Sequence, residues 1–432
     1  MRKSVTINKD FEEVYRERIE RLVKAYQCKT PDRVPISLSA NHFAARYAGL
    51  TFHEYCYDLS KNMKAALKFA KDFDADSIDV GLPRQGSIYF VLALFKDHPD
   101  IAPFLRNWSG PMHDILADRY GRWPGRELPP DYHFQFIFPT EDGFMKTEDY
   151  EKFIRDPISF LNETIFPRFS KNLEKPDSAK AYGTWIKIGM QIHREQAYNR
   201  QLARKLRKLG FGSPFAHVGY FYPPLDFIGD HLRGLIGIIK DLYLIPETVR
   251  KAVDAITPLI TELALQTSKP PEELRTADSP LVTAWSTTHL NSMLRHELFE
   301  EFYWEPFKKV INELIKENVK PSVLFEGDFT PFLEYLLELP KGQFIALFEK
   351  LTPDIRKARE VLGDHVCIVG GLPPLLFLAG TPSKVEEYVK NLLEDVKEPG
   401  GFVLSNNVEL PPDSRPENIK AAIEAVKKYG WY

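Results

Sequence analysis

Glu326 and Asp328 flank a glycine directly after the apolar run Val323–Phe325. Two carboxylates held that close repel each other, which splits their pKa values and can leave one protonated as an acid near neutral pH. Asp328 has a plainer use as the cap of a helix starting near Pro331, whereas Glu326 has none and is the leading catalytic candidate. His42, in Asn41-His42-Phe43-Ala44-Ala45-Arg46-Tyr47, is of a type that titrates near neutrality and can act as acid or base, although a single loop histidine also serves as an ordinary hydrogen-bonding group. Tyr220, in Val218-Gly219-Tyr220-Phe221-Tyr222, can donate its phenol to a substrate oxygen, with aromatic packing as the alternative. Arg46 and Arg84 are candidates for gripping a substrate carboxylate or phosphate, because the guanidinium fork meets two oxygens at once. Gly81 and Gly86 around Arg84 permit a tight turn that would aim it inward. His289, Asn291, Asn407 and Asp328 are candidates for the pocket lining. His193, His217 and His289 lack the i, i+4 spacing of a metal-binding helix, so no metal set is marked. In Pro224–Gly234, Asp226 suits a helix N-cap, and Arg233 either clamps a carboxylate or pairs with Asp226 or Asp230.

Such residues need a scaffold that brings strand ends together. Short apolar runs at Leu281–Ala284, Val323–Phe325, Phe344–Phe348, Val366–Val369 and Val403–Leu404 alternate with helical stretches at Phe299–Glu317, Pro353–Leu362, Ser383–Val396 and Pro416–Tyr429. That beat predicts parallel strands with crossover helices. Closed on itself it is an α/β fold, a (β/α)8 TIM barrel, whose strand C-termini carry the chemistry. Upstream, residues 9–27 read as an N-terminal helix that Asn8 could cap, Val34–Leu38 and Ser77–Leu82 as the first two strands, and about His53 to Asp72 as the helix between them. Residues 95–180, with Trp108, Trp123-Pro124-Gly125, Pro129-Pro130 and Phe134–Phe138, break the beat and read as a long insertion on one rim. Trp185–Met190 and Phe215–Tyr220 resume the strand signal, and Asp226–Leu244 and Pro246–Gln266 follow as helices. The 432 residues are expected to form one domain.

A net charge of -3 argues against a nucleic-acid partner, which would want a basic face. No apolar run is long enough for a transmembrane helix, Met1 to Asp10 carries no apolar signal core, and the three cysteines form no CxxC pair. A cytoplasmic protein is expected, with no membrane partner.

Four stretches resemble the uroporphyrinogen decarboxylase superfamily: Pro224–Gly234, Phe299–Trp304, Gly370–Pro382 and Gly400–Asn418, with weaker similarity over most of residues 30–430. The resemblance implies a barrel with a deep funnel at the strand C-termini and one of two chemistries. One is metal-free decarboxylation of the acetate side chains of uroporphyrinogen. The other is methyl transfer from a small substrate to the cobalt of a corrinoid protein, often with a zinc ion. The decarboxylases' Arg-Gln-Ala-Gly-Arg-Tyr motif is met here only by Ala45-Arg46-Tyr47, and their pyrrole-binding Asp has no match in the loop Gly81-Leu82-Pro83-Arg84. Their His near the last strand falls on Val408. The zinc ligands of the methyltransferases fall on Leu324, Glu326 and Val408, and one carboxylate does not hold zinc, so no zinc is expected at that position.

The resemblance therefore implies a chain closer to the corrinoid-dependent methyltransferase-like members. It would move a methyl group from a methylated or methoxylated small molecule to a cobalamin-bearing partner protein. Glu326, kept neutral by an apolar barrel mouth, would protonate the leaving oxygen, or His42 or Tyr220 would do so. The alternative is a metal-free decarboxylase of a tetrapyrrole or polycarboxylate held by Arg46, Arg84 and Arg233. A third reading is a non-catalytic barrel-fold binding protein. Related barrels often pair, which makes a homodimer an expectation.

Overall fold

The computed structural model describes residues 11–136, 143–269, 279–349, 354–406 and 408–432. Eight strands form one sheet: β1 (Ile36–Ser39), β2 (Ser77–Asp79), β3 (Phe215–Tyr220), β4 (Leu281–Thr288), β5 (Lys320–Phe325), β6 (Ile345–Phe348), β7 (Cys367–Gly371) and β8 (Phe402–Ser405). Their order is β2-β1-β8-β7-β6-β5-β4-β3 and every pairing is parallel, as in Ile36↔Leu404 between β1 and β8 or Trp285↔Ser322 between β4 and β5. This is the curled sheet of a TIM-like barrel with one seam, between β2 and β3. The strands carry continuous apolar runs because both faces are covered: β7 and β8 are buried along their whole length.

An antiparallel ribbon, Gln85–Gly86 against Asn107–Trp108, belongs to the segment that crosses from β2 to β3. Beside it the Arg106 guanidinium donates from Nη1 to Val218 O at 2.8 Å, so one carbonyl on the seam edge of β3 is satisfied by a side chain. At the opposite end of the barrel the N-terminal helix α1 (Phe11–Tyr26) supplies a plug. The Tyr26 ring lies 5.0 Å from that of Phe215, and Tyr26 and Cys28 pack on Ile345, Cys367, Val369 and Val403. Asn8, the expected cap of this helix, lies outside the described residues.

Three expectations are corrected. The helix expected from about His53 to Asp72 is two, Phe52–Tyr57 and Leu59–Asp72, because the Asp58 carboxylate accepts from Ser60 N and Lys61 N and caps the second. Trp185–Met190 is not a strand but part of a helix, Ala179–Arg207, whose buried residues Ala181, Thr184, Ile188, Glu195, Tyr198 and Leu202 recur at helical spacing. A six-residue apolar window cannot separate the two periods, and the longer pattern decides. Asp226–Leu244 is not one helix either: it runs as Pro224–Ile228, a π turn over Gly229–Arg233, and Leu235–Leu244, broken at Gly234 with φ of +77°. Among the described residues no helix is long and apolar enough to cross a membrane.

Candidate active site

Three consecutive strands deliver the best-defined cluster. After β3 the chain places Tyr222 and then the π turn that carries Asp230; after β4 come His289 and Asn291; after β5 comes Glu326. Extra-residue π turns often mark functional positions, since they rotate one side chain out of helical register. Here the turn sets Asp230 against His289 Nδ1 in a very close contact. Tyr222 donates its hydroxyl to the same Asp230 oxygen at 2.8 Å and lies 3.3 Å from His289 Nδ1. On the other side of the ring, His289 Nε2 is 3.3 Å from Glu326 Oε1, which also accepts from Thr287 Oγ1 at 2.9 Å. Asn291 Nδ2 donates to the Glu326 backbone carbonyl at 3.0 Å and fixes the turn. The imidazole is thus strung between two carboxylates, with Glu326 and His289 partly open to solvent and Asp230 sealed behind them.

Charge follows from this geometry. Burial opposes a charge on His289, but the facing carboxylates of Asp230 and Glu326 outweigh it and hold its pKa well above the ordinary histidine value. An imidazolium donates from both nitrogens, so both contacts are hydrogen bonds of one state. Burial also opposes ionisation of Glu326, yet its bond to His289 and the Thr287 hydroxyl hold its carboxyl below the usual range. This overturns the expectation of a neutral Glu326 acting as acid: its neighbour is a cation, and the proton sits on His289. The carboxylate that acts on Glu326 is Asp230, not Asp328, whose exposed side chain accepts from Thr330 N at 2.9 Å as a local cap.

Behind the cluster, Asp226 is fully buried and accepts from His289 N at 3.0 Å, Leu290 N at 2.9 Å and the Tyr303 hydroxyl at 2.6 Å. It ties the loop after β4 rather than capping its own helix. Burial and the nearby Asp230 raise its pKa. Arg233 pairs with neither Asp226 nor Asp230: it is buried against Asp241 at 2.7 Å and donates to Thr147 Oγ1 at 2.9 Å, so it is no substrate clamp.

A second polar group sits where the loops after β1, β2 and β8 meet. His133 Nε2 is 3.5 Å from Glu409 Oε2, which accepts from His42 N at 3.1 Å. His42 stacks on Phe52 with 4.2 Å between centroids and its Nε2 meets Asp131 O at 2.9 Å. Burial and the His133 charge lower the His42 pKa; burial also opposes protonation of His133, but Glu409 raises it. Asp79, the last residue of β2, accepts from Ser39 Oγ at 3.3 Å, and its surroundings and Glu409 raise its pKa although its edge is open.

The remaining candidates scatter. Tyr220 is buried with its ring stacked on Trp285, and burial raises its phenol to about 12. Arg46 is exposed and 3.6 Å from Asp413. Arg84 turns to the seam, 3.4 Å from Glu195, and not into the cluster. His193 lies within the helix Ala179–Arg207. Asn407 lies outside the described residues. Asp230, His133, Glu409 and Asp79 are not among the site residues that the sequence marks, whereas Tyr222 shares its stretch with Tyr220. Asp230 had one signal, its i, i+4 spacing from Asp226 directly after a strand, and Asp79 another, its place at a strand's last residue.

The residues at the zinc position do not fit that ion. Leu324 and Val408 carry no ligand atoms, and Glu326 is engaged by His289 and Thr287. Among the described residues no three His, Cys, Asp or Glu side chains are grouped as metal ligands.

Comparison with known proteins places the chain. The family described as Uroporphyrinogen decarboxylase (URO-D) matches residues 212–429, a span that holds β3 to β8 and the Asp230–His289–Glu326 cluster. A uroporphyrinogen decarboxylase from Serratia proteamaculans (strain 568) is 24% identical over 268 residues, covering 60% of this chain and 70% of that protein. One from Teredinibacter turnerae is 28% identical over 189 residues, 43% of this chain and 49% of that protein. Among solved structures, a methyltransferase from Methanosarcina mazei aligns with a TM-score of 0.54 and 15% identity over 95% of this chain and 98% of that one, a likeness of fold. With its curled parallel sheet and the family match over residues 212–429, the chain belongs to the uroporphyrinogen decarboxylase (URO-D) family of enzymes.

Proposed function

We propose that this enzyme moves a methyl group from the oxygen of a methylated or methoxylated small molecule to a cobalamin-bearing partner protein, with His289 as general acid. The observation that carries this reading is the imidazolium held between Asp230 and Glu326 at the strand ends, partly open to solvent. An ether oxygen is a poor leaving group, and its departure needs a proton in the transition state. A corrinoid on a docked carrier would supply the nucleophile for the methyl carbon. As the carbon–oxygen bond breaks, its electron pair stays on oxygen and the His289 Nε2 proton moves to that oxygen. The Nε2–Glu326 separation of 3.3 Å is at the long end for a hydrogen bond, so a substrate oxygen can compete for the proton. Asp230, with Tyr222 donating to it, holds the ring in place and keeps it charged between turnovers. The arginines expected for a polycarboxylate do not converge: Arg46 is at the exposed rim, Arg84 at the seam, and Arg233 is buried against Asp241.

The test combines the purified protein with a reduced corrinoid protein and a panel of methoxyaromatics while the cobalt absorption spectrum is followed. Turnover with at least one ether, lost in His289→Gln, supports the reading; no spectral change with any member of the panel sinks it. A second reading, decarboxylation of a tetrapyrrole, is favoured by one observation: the exposed Asp79 carboxylate stands at the end of β2, accepting from Ser39 Oγ, among the loops that hold the His133–Glu409 pair. Carbon dioxide released from a porphyrinogen, and abolished by Asp79→Asn, would select it instead.

A further inference from the structure

Apart from the His289 cluster, a cavity of about 450 Å³ lies against β3 beside the seam and contains two guanidinium groups. Arg84 and Arg106 line it together with Glu195 and Asn199 of the helix Ala179–Arg207, and Val91 and Ile192 give it an apolar side. Arg106 donates to Val218 O at 2.8 Å and stands 5.3 Å from the centroid of the Tyr220 ring. Among the described residues no carboxylate lies within ion-pair distance of it; burial lowers its pKa, and the like charge of Arg84 acts in the same direction. Arg84 has one weak partner, Glu195 Oε2 at 3.4 Å, and its buried Nε has no acceptor among the described residues. Glu195 is itself spent: its other oxygen accepts from Ser109 Oγ and from Gln191 Nε2, the latter at 2.8 Å.

Two arginines against one glutamate leave the cavity with an excess of one positive charge. Proteins seldom enclose a guanidinium without an opposing charge, because desolvation is then uncompensated. A carboxylate supplies one negative charge and the planar oxygen pair that the guanidinium fork matches. A phosphate dianion would overshoot the balance beside Glu195. The apolar wall of Val91 and Ile192 suits an organic body behind the carboxylate.

We propose that the seam cavity is a binding site for a small organic monocarboxylate, held by Arg106 and Arg84 and distinct from the His289 cluster. This assignment is independent of which reaction the enzyme performs. The ligand would complete the wall between β2 and β3 and lie across the Arg106–Tyr220 contact.

Calorimetric titration of the full-length protein with benzoate tests it, with benzamide and inorganic phosphate as the neutral and dianionic comparisons. Benzoate is expected to bind with one site, and benzamide and phosphate at least tenfold more weakly. Arg106→Gln and Arg84→Gln are each expected to weaken benzoate tenfold or more, while His289→Gln leaves its affinity unchanged. Arg106 also holds the edge of β3, so if its variant fails to fold, Arg84→Gln decides. Absence of benzoate binding at millimolar concentration, unchanged affinity in Arg84→Gln, or loss of binding in His289→Gln overturns the proposal.

Discussion

The proton on His289 is held by two carboxylates of different kinds, one sealed and one open, and this asymmetry makes separate predictions for each. Replacing Glu326 by Gln removes the open charge while Asp230 remains, so the histidine pKa should fall but stay above its ordinary value. The alkaline limb of the kcat/KM profile for the donor half-reaction should therefore move to lower pH in Glu326→Gln, and an unmoved limb would remove Glu326 from this role. His289→Gln should lower kcat by about 10²- to 10⁴-fold, the usual worth of a positioned acid. The same shift has a consequence for stability. His289 has an ordinary unfolded pKa of about 6.5, raised on folding. Its charge therefore contributes fully below the unfolded value, and that contribution is lost as pH rises through the folded value. Urea midpoints of wild type and His289→Gln should differ most in mildly acidic buffer and converge in alkaline buffer; a constant gap would contradict the charge assignment.

At the scale of elements, the cluster depends on how tightly each loop leaves its strand. Gly327 has φ of +75°, and a Cβ there would run into the Ser292 side chain of the loop after β4. Gly327→Ala should cost about 1–3 kcal/mol of stability through backbone strain and overpacking. It should also lower activity, since Glu326 is the preceding residue; full activity with unchanged stability would show that the turn is slack. The elements differ in how far sequence disclosed them. Strands β5 to β8 were readable because buried parallel strands are short apolar runs set between helices that each carry one apolar stripe. The segment between β2 and β3 was not, since Trp185–Met190 mimics a strand inside a long helix. His289 and Glu326 were legible as polar residues at strand ends. Their pairing was not, because the acid that completes it rides on a π turn, and a one-residue shift of helical register leaves no mark in the hydrophobic pattern. The expectation of an inward Arg84 failed for a related reason: among the described residues no strand pairing at the seam fixes which way the ribbon faces.

For the whole molecule, the end of the barrel opposite the site holds a separate polar lock. Asp76, 1% exposed and just ahead of β2, accepts from Arg21 Nη1 at 2.7 Å, from Arg33 Nη1 at 2.7 Å and Nη2 at 2.8 Å, and from Ile36 N at 2.9 Å. One carboxylate thereby joins helix α1, the approach to β1 and the approach to β2. Arg21 keeps a second partner in Asp32, at 2.6 Å, whereas among the described residues Arg33 retains only the Val34 carbonyl at 2.9 Å. Asp76→Ala therefore leaves the Arg33 guanidinium buried without a carboxylate, and breaking a buried pair in this way costs about 3–5 kcal/mol. The loss should fall on the plug first, because α1 is held by this lock and by the Tyr26–Phe215 contact at its C-terminal end. Limited proteolysis should cut within residues 11–26 faster in the variant than in wild type, alongside the lower denaturant midpoint. Well below the melting temperature, turnover should persist, since the His289 cluster lies at the other ends of the strands. An Asp76→Ala protein of wild-type stability would show that the lock is replaceable, and one that stays folded but loses turnover would tie the plug to the site through the barrel interior.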